Sequence, residues 1–283
     1  MEPLGGLCRS ATQVNARLAT LLLPQAPMPS ESLYETLTFD WLKVLRFKTR
    51  ANLDTIAAIG ASTAINTAIA DHGIARIILA SAPSQTGFLK ELLSKSIDWS
   101  KVEIFHMDEY VGIRADHPAS FRHYQQQHVL QHIRPAAFHG IRGESADPVA
   151  ECARYHQLLA EGPIHVTCAG IGENGHLAFN DPPADFNDPA SVKIVHLDHA
   201  CRQQQVNDGC FPDLDSVPKT AITLTIPTLL SAENLVVVVP GSRKAKAVFD
   251  TLRGPVCGSC PASSLRTHPN ASLLIDEESA ALL

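Results

Sequence analysis

The run NLVVVV at 234–239 is apolar at every position after its Asn. A strand with one wet face alternates apolar and polar residues, because successive side chains point to opposite sides. A strand that is apolar throughout needs cover on both faces, and parallel sheets flanked by helices supply it. The rest of the chain fits that demand. KVLRFKT, ARIILAS, VEIFHM, IHVTCAGIG, SVKIVHLD, TAITLTI and ASLLID are short strand-like segments. Between them lie stretches with apolar residues at helical spacing: 51–73 closing on Gly73, 84–95, 120–133, 147–161 opened by Asp147 and Pro148, 242–252, and a short final helix after 276. Asp before Pro is a good helix start and Gly a good stop. The pattern predicts an α/β chain with a mostly parallel sheet. Such sheets bind ligands at the carboxyl ends of their strands.

The chain has 283 residues, ample for one large domain or two small ones. Residues 1–37, rich in Pro, Ser and Ala, read as an N-terminal extension, ordered in part at best, ahead of a single domain over 38–283. A net charge of -6 without a Lys/Arg run argues against nucleic acid as a partner. No uninterrupted apolar run approaches the roughly 20 residues of a membrane helix. RLATLLLPQAP near the N-terminus is too short and lacks a preceding basic cluster for an export signal, so a cytoplasmic protein without a membrane partner is expected. Seven cysteines, an odd number spread over a long chain, do not make a disulfide scaffold. Cys257 and Cys260 form a CxxC, but a second pair or matching histidines are missing, and free thiols are expected.

Polar chemistry gathers after certain strands. Ser81, Ala82, Pro83, Ser84, Gln85 and Thr86 follow ARIIL and precede a helix. Hydroxyls and free N–H groups there suit a phosphate, while an ordinary helix cap by Ser84 is the plainer alternative. After VEIFHM stand adjacent acids, Asp108 and Glu109. Mutual repulsion and partial burial raise a carboxyl pKa toward the range of a working base, while a solvated acidic turn is the plain alternative. In AGIGENGHLAFNDPP, Gly170, Gly172 and Gly175 allow a tight loop that brings backbone close to a ligand. His176 follows with Asn174, Asn180 and Asp181 nearby, and a carboxylate or amide would fix the tautomer of a proton-shuttling His. After NLVVVV come Pro240, Gly241 and Ser242, then Arg243, Lys244 and Lys246 entering a helix, where an anion would offset the unfavourable dipole.

MDEYVG followed by HPASF, GIGENGHLAFNDP, and PGSRKA in support resemble the glucosamine-6-phosphate deaminase/isomerase family over about residues 40–280. The wider superfamily includes 6-phosphogluconolactonases. The resemblance implies a three-layer α/β/α sandwich of modified Rossmann type. It implies a sugar-phosphate substrate, most simply glucosamine 6-phosphate, converted to fructose 6-phosphate and ammonia with neither metal nor organic cofactor. By the same resemblance Asp108 is the base moving a proton between C2 and C1, and His176, with Asn174 and Asp181, assists ring opening. Ser81, Ala82, Ser84, Gln85, Thr86, Gly170 and Lys244 match substrate- and phosphate-binding positions, with Arg202 the nearest candidate for an arginine of the mobile lid. The best-known members carry Asp where this chain has Asn174, Glu where it has Asp181, and a more glycine-rich phosphate loop. A 6-phosphogluconolactonase, or a sugar-phosphate sensor without turnover, remain the alternatives. The sequence allows a homo-oligomer without fixing its state.

Overall fold

The computed structural model describes residues 33–283. The strands are β1 (Leu33–Phe39), β2 (Leu42–Phe47), β3 (Ala75–Leu79), β4 (Val102–His106), β5 (Asp108–Tyr110), β6 (Ala137–His139), β7 (Val166–Ala169), β8 (Val192–His196), β9 (Thr220–Leu224), β10 (Asn234–Val239) and β11 (Ala271–Asp276). The helices are α1 (Arg50–His72), α2 (Thr86–Leu93), α3 (Phe121–Gln125), α4 (Pro148–Ala160), α5 (His199–Asn207), α6 (Ile226–Leu230) and α7 (Ala245–Arg253). An eight-stranded sheet runs β1-β2-β11-β10-β7-β3-β4-β6. It is parallel except for the antiparallel edge pair β1/β2.

The apolar run of β10 shows why this layering forms. Leu235, Val237 and Val239 enter one core, with Tyr155, Leu159, Val248 and Leu252 from α4 and α7. Val236 and Val238 enter the other, with Leu53, Ile56, Phe88 and Leu89 from α1 and α2. Each face of the strand is therefore dry. α1 is long and apolar enough to pass a composition test for a membrane span, but 61% of that window is buried inside the protein. Its Ala57, Ala58, Gly60 and Ala61 are buried, small side chains that allow close packing on the sheet. Thr49 caps its start, accepting from Asn52 N–H, and Gly73 at φ 78 ends it, a left-handed conformation that favours glycine.

Several boundaries differ from expectation. The segment expected as an extension reaches into β1 at 33–37, because its alternating residues pair with β2 at the sheet edge; residues 1–32 lie outside the described residues. The helix expected over 120–133 is α3 followed by a π-helical turn, Gln126–Leu130. After β11 the chain forms turns rather than a helix. Asp276 and Ser279 hold that turn, with Ser279 N–H donating to Asp276 Oδ1 at 2.8 Å. β8 and β9 do not join the parallel sheet. With β5 they form a separate three-stranded antiparallel sheet, β5-β9-β8.

Strand order places the crevice. From β3 the chain proceeds through β4 to β6 on one side, then returns to β7 on the other side of β3 and continues outward to β10 and β11. The direction reverses between β3 and β7, and their carboxyl ends part there. β4 is anchored nearby by Tyr155 of α4. This fully buried hydroxyl accepts from His106 N–H at 3.1 Å and lies 2.8 Å from His106 O and 2.9 Å from His139 O. Tyr155→Phe leaves a buried N–H without its acceptor and should cost about 1–3 kcal/mol in urea unfolding.

Candidate active site

An open cleft lies at the carboxyl ends of β3, β4, β7 and β10. Of the residues singled out in the sequence, Ser81, Ala82, Ser84, Gln85, Asp108, Gly170, His176 and Lys244 line it. Asn174 and Asp181 stand behind His176. Two more predicted residues also fail to line the cleft. Thr86 pairs its hydroxyl with Tyr124 Oη at 3.0 Å. Arg202 points its guanidinium at the carbonyls of Leu214 and Val217 within its own segment, both accepting from Nη2.

The adjacent acids take opposite roles because neighbouring residues of β5 face opposite sides. Glu109 is fully buried and accepts from Ser120 Oγ at 2.7 Å and from the N–H groups of Phe121 and Arg122, both at 3.1 Å. Its Oε2 also lies 3.4 Å from Arg122 Nε. It thus satisfies the free donors at the start of α3, an anchoring role. Burial raises its pKa, while these bonds oppose the shift. Asp108 faces the cleft with 6% of its surface exposed, and its carboxylate has no hydrogen-bond partner among the described residues. Burial, and then the charge of Glu109, push its pKa well above the ordinary carboxyl value. A carboxyl held less acidic than usual in a cleft suits a group that accepts and returns a proton.

His176 is set by its loop. Its Nδ1–H donates to Asp181 Oδ1 at 3.1 Å, which leaves Nε2 without a partner among the described residues. Asp181 also accepts from Asn174 Nδ2 at 3.0 Å and from Asp198 N–H at 3.1 Å. Burial opposes ionisation of Asp181, but the bonds from His176, Asn174 and Asp198 outweigh it and hold the pKa below the usual value. Gly172 is needed here for space: a Cβ would fall 2.2 Å from His176 Nε2. Asp198 was not anticipated. It caps α5 through Cys201 N–H at 2.6 Å and reaches Asn174 Nδ2 at 3.3 Å, so a second carboxylate enters the network. An Asp just before a helix was the available signal.

At the other side of the cleft Lys244 is 8% exposed and its ammonium makes no hydrogen bond among the described residues. Burial lowers its pKa. Its neighbour Arg243 is spent on Glu173 and Asp208, at 3.0 and 2.6 Å. Facing Lys244 are the 3-10 turn Pro83–Gln85 and the start of α2. Ser84 does not cap α2. Its hydroxyl accepts only from Gln85 Nε2 at 3.4 Å, and its carbonyl is held by Arg50. Gln85 also bonds Val238 O at 3.0 Å and lies against Gly170, which bridges the crevice between β3 and β7. Also lining the cleft, and not foreseen, are Gln204, Gln205 and Asp208 of the segment around α5. Gln205 Oε1 accepts from Tyr110 Oη at 2.7 Å, tying that segment to β5.

Two groups of potential metal ligands occur among the described residues. In His176, Asp181 and Cys201, the His Nδ1 and the carboxylate already bind each other. In His72, His165 and Glu233, His165 Nδ1 accepts from Arg76 N–H at 2.9 Å, so in the neutral ring Nε2 carries the proton and has no lone pair to offer. Neither is preorganised as a metal centre.

An uncompensated buried carboxylate costs stability. With the folded pKa of Asp108 raised, its contribution is fully present below the unfolded pKa, about 3.9, and is lost as pH rises through the folded pKa. Asp108→Asn should therefore melt higher than the parent at pH 7, with the gain shrinking toward pH 4. Thermal melts at both pH values check this.

A family model described as glucosamine-6-phosphate isomerases/6-phosphogluconolactonase matches residues 48–274. A glucosamine-6-phosphate deaminase of Lactobacillus delbrueckii subsp. bulgaricus is 34% identical over 213 residues, covering 75% of this chain and 89% of the relative. One of Streptococcus pneumoniae is 33% identical over 212 residues, covering 75% and 88%. The solved structure of a monomeric glucosamine-6-phosphate deaminase superposes with a TM-score of 0.78 at 32% identity, covering 85% of this chain and 99% of that one. A 6-phosphogluconolactonase from Shewanella baltica, at 18% identity, TM-score 0.68 and coverage of 87% and 99%, shares the fold. With the match spanning most of its length, the chain belongs to the glucosamine-6-phosphate isomerase/6-phosphogluconolactonase family.

Proposed function

We propose that the protein is a glucosamine-6-phosphate deaminase, converting that substrate and water to fructose 6-phosphate and ammonia. The observation that carries this is one cleft holding a free, proton-accepting Asp108, a His176 with Nε2 open, and an unpaired, buried Lys244. Lys244, with the hydroxyls and backbone of the turn at 81–85, holds the phosphate. A buried ammonium without a partner calls for an anion. His176 Nε2 moves a proton between the ring oxygen and the C1 hydroxyl, which opens the sugar. Asp181 keeps Nδ1 protonated and supports the imidazolium formed in passing. Asp108 then takes the proton from C2 and delivers it to C1. The enol-type intermediate becomes a C2 imine, which water hydrolyses to the ketone with loss of ammonia. Deaminase relatives at 33–34% identity over most of their length support this substrate over a lactone. No transfer between carbons is needed for lactone hydrolysis. A cytoplasmic setting is part of the proposal.

Incubation with glucosamine 6-phosphate should release ammonia and fructose 6-phosphate in equal amounts. Turnover of 6-phosphogluconolactone in its place transfers the assignment to the lactonases, and thermal stabilisation without product makes the protein a sensor. Asp108→Asn should lower kcat by about 10²–10⁴ with binding kept.

Lys244→Ala should act mainly on affinity. A charge-assisted contact is worth about 1.5–3 kcal/mol, or about one to two decades in KM. Asp181→Asn should slow the closed-ring sugar far more than an open-chain analogue, since only the former needs His176 to open it. Equal slowing of both would reduce Asp181 to a loop support.

A further inference from the structure

The CxxC at Cys257 and Cys260 plays no part in the proposed reaction, yet its placement is specific. Cys260 N–H donates to Cys257 O at 3.1 Å, closing a four-residue turn. Such a turn keeps its end Cα atoms within about 7 Å, and disulfides span about 4.4–6.8 Å. The backbone therefore holds the pair in bridging range, with both thiols free. Their settings differ. Cys257 Sγ is partly exposed and 2.9 Å from Ser259 Oγ. That hydroxyl first, then the Ser259 and Cys260 N–H groups, favour the thiolate and lower its pKa. Cys260 is 8% exposed, with its pKa raised by burial and its Sγ 3.8 Å from Thr251 Oγ1. A thiolate-prone outer sulfur beside a protected inner one is the arrangement of an attacking and a resolving cysteine.

The inner sulfur rests on the loop of His176. Cys260 Sγ lies 3.2 Å from where a Cβ on Gly175 would stand. Ala262 N–H donates to Gly175 O at 2.9 Å. Gly175, at φ 87, is the residue that turns the chain into His176. The far side of the CxxC turn is fixed as well, since Gly258 O accepts from Ala184 N–H at 2.9 Å.

We propose that Cys257 and Cys260 are a redox-active dithiol, closed to a bridge by a low-molecular-weight disulfide, and that closure displaces the turn at Gly175 and His176. The Cys257 thiolate attacks one sulfur of the small disulfide, breaks its S–S bond and expels one small thiolate, leaving a mixed disulfide. The Cys260 thiol gives up its proton and attacks Cys257 Sγ, expelling the second small thiolate. The protein loses two electrons and two protons, and the small disulfide becomes two thiols. Closing the bridge turns Cys260 Sγ toward Cys257, away from Thr251 and Gly175. The effect on catalysis rests on the role proposed for His176; bridge formation and loop displacement do not.

The test treats the full-length reduced protein with oxidised glutathione at neutral pH. Peptide mass mapping should show the segment holding both cysteines lighter by two hydrogens, and amide exchange across 170–181 should change. Ammonia release should fall on the order of tenfold to hundredfold, as for a displaced catalytic group, and dithiothreitol should restore it. Cys257→Ser should form no bridge and keep its activity in the oxidant. Glutathione retained on Cys257 beside a free Cys260 thiol would overturn the proposal, as would a closed bridge with unchanged exchange over 170–181. If bridge and exchange change are seen but no hexosamine phosphate is turned over, the dithiol stands and the substrate assignment fails.

Discussion

The inner strands of the central sheet, β3, β7, β10 and β11, are buried on both faces, and that constraint governs where chemistry can occur. Val236 and Val238 of β10 point into one core while Val237 and Val239 point into the other, so neither face can carry a polar site. Polar groups can gather only where strands end. Parallel strands end together, and the reversal of strand order between β3 and β7 opens a gap among those ends. Gln85 spans the gap from the β3 loop to Val238 O and lies against Gly170 after β7. Side chains far apart in sequence meet there without any strand or helix being distorted to bring them.

The acidic pair after β4 shows how a fold separates two roles within one dipeptide. Alternation on β5 sends Glu109 inward, where the first N–H groups of α3 and Arg122 stabilise its charge. The same alternation sends Asp108 to the cleft, where no hydrogen-bond donor among the described residues does. The charge on Glu109 then works against ionisation of Asp108, adding to its desolvation. The anchored acid thus tunes the free one while holding the helix. A carboxyl kept in this state lowers the stability of the fold, a cost consistent with a group retained for its chemistry.

Around His176 the chain uses a shared carboxylate. Asp181 binds the imidazole with one oxygen and the N–H of Asp198 with the other, and Asn174 bridges Asp181 to the Asp198 carboxylate. Asp198 also caps α5, whose Gln204 and Gln205 line the cleft. A movement of α5 therefore reaches the residue that orients the histidine. The shorter Asp181 and the neutral Asn174 place a second carboxylate one step farther from the ring than direct contact would.

Much of this was legible in the sequence, for identifiable reasons. Period and composition fix strands buried on both faces, helix caps such as Asp147, and the glycine stop at Gly73, because these depend on neighbouring residues alone. The loops holding Ser81, Asp108, His176 and Lys244 were also visible, since polar residues after apolar runs mark strand ends. Only tertiary packing decided the rest. It moved β8 and β9 into a second sheet with β5, because strand partners are set by contacts between segments distant along the chain. It turned Arg202 to backbone carbonyls, took Thr86 to Tyr124, and brought Asp198 to Asn174. It also gave Asp108 and Glu109 different surroundings. Sequence places both acids at one spot, but burial and hydrogen-bond partners, supplied by residues distant along the chain, determine which carboxylate is satisfied and which is left free to react.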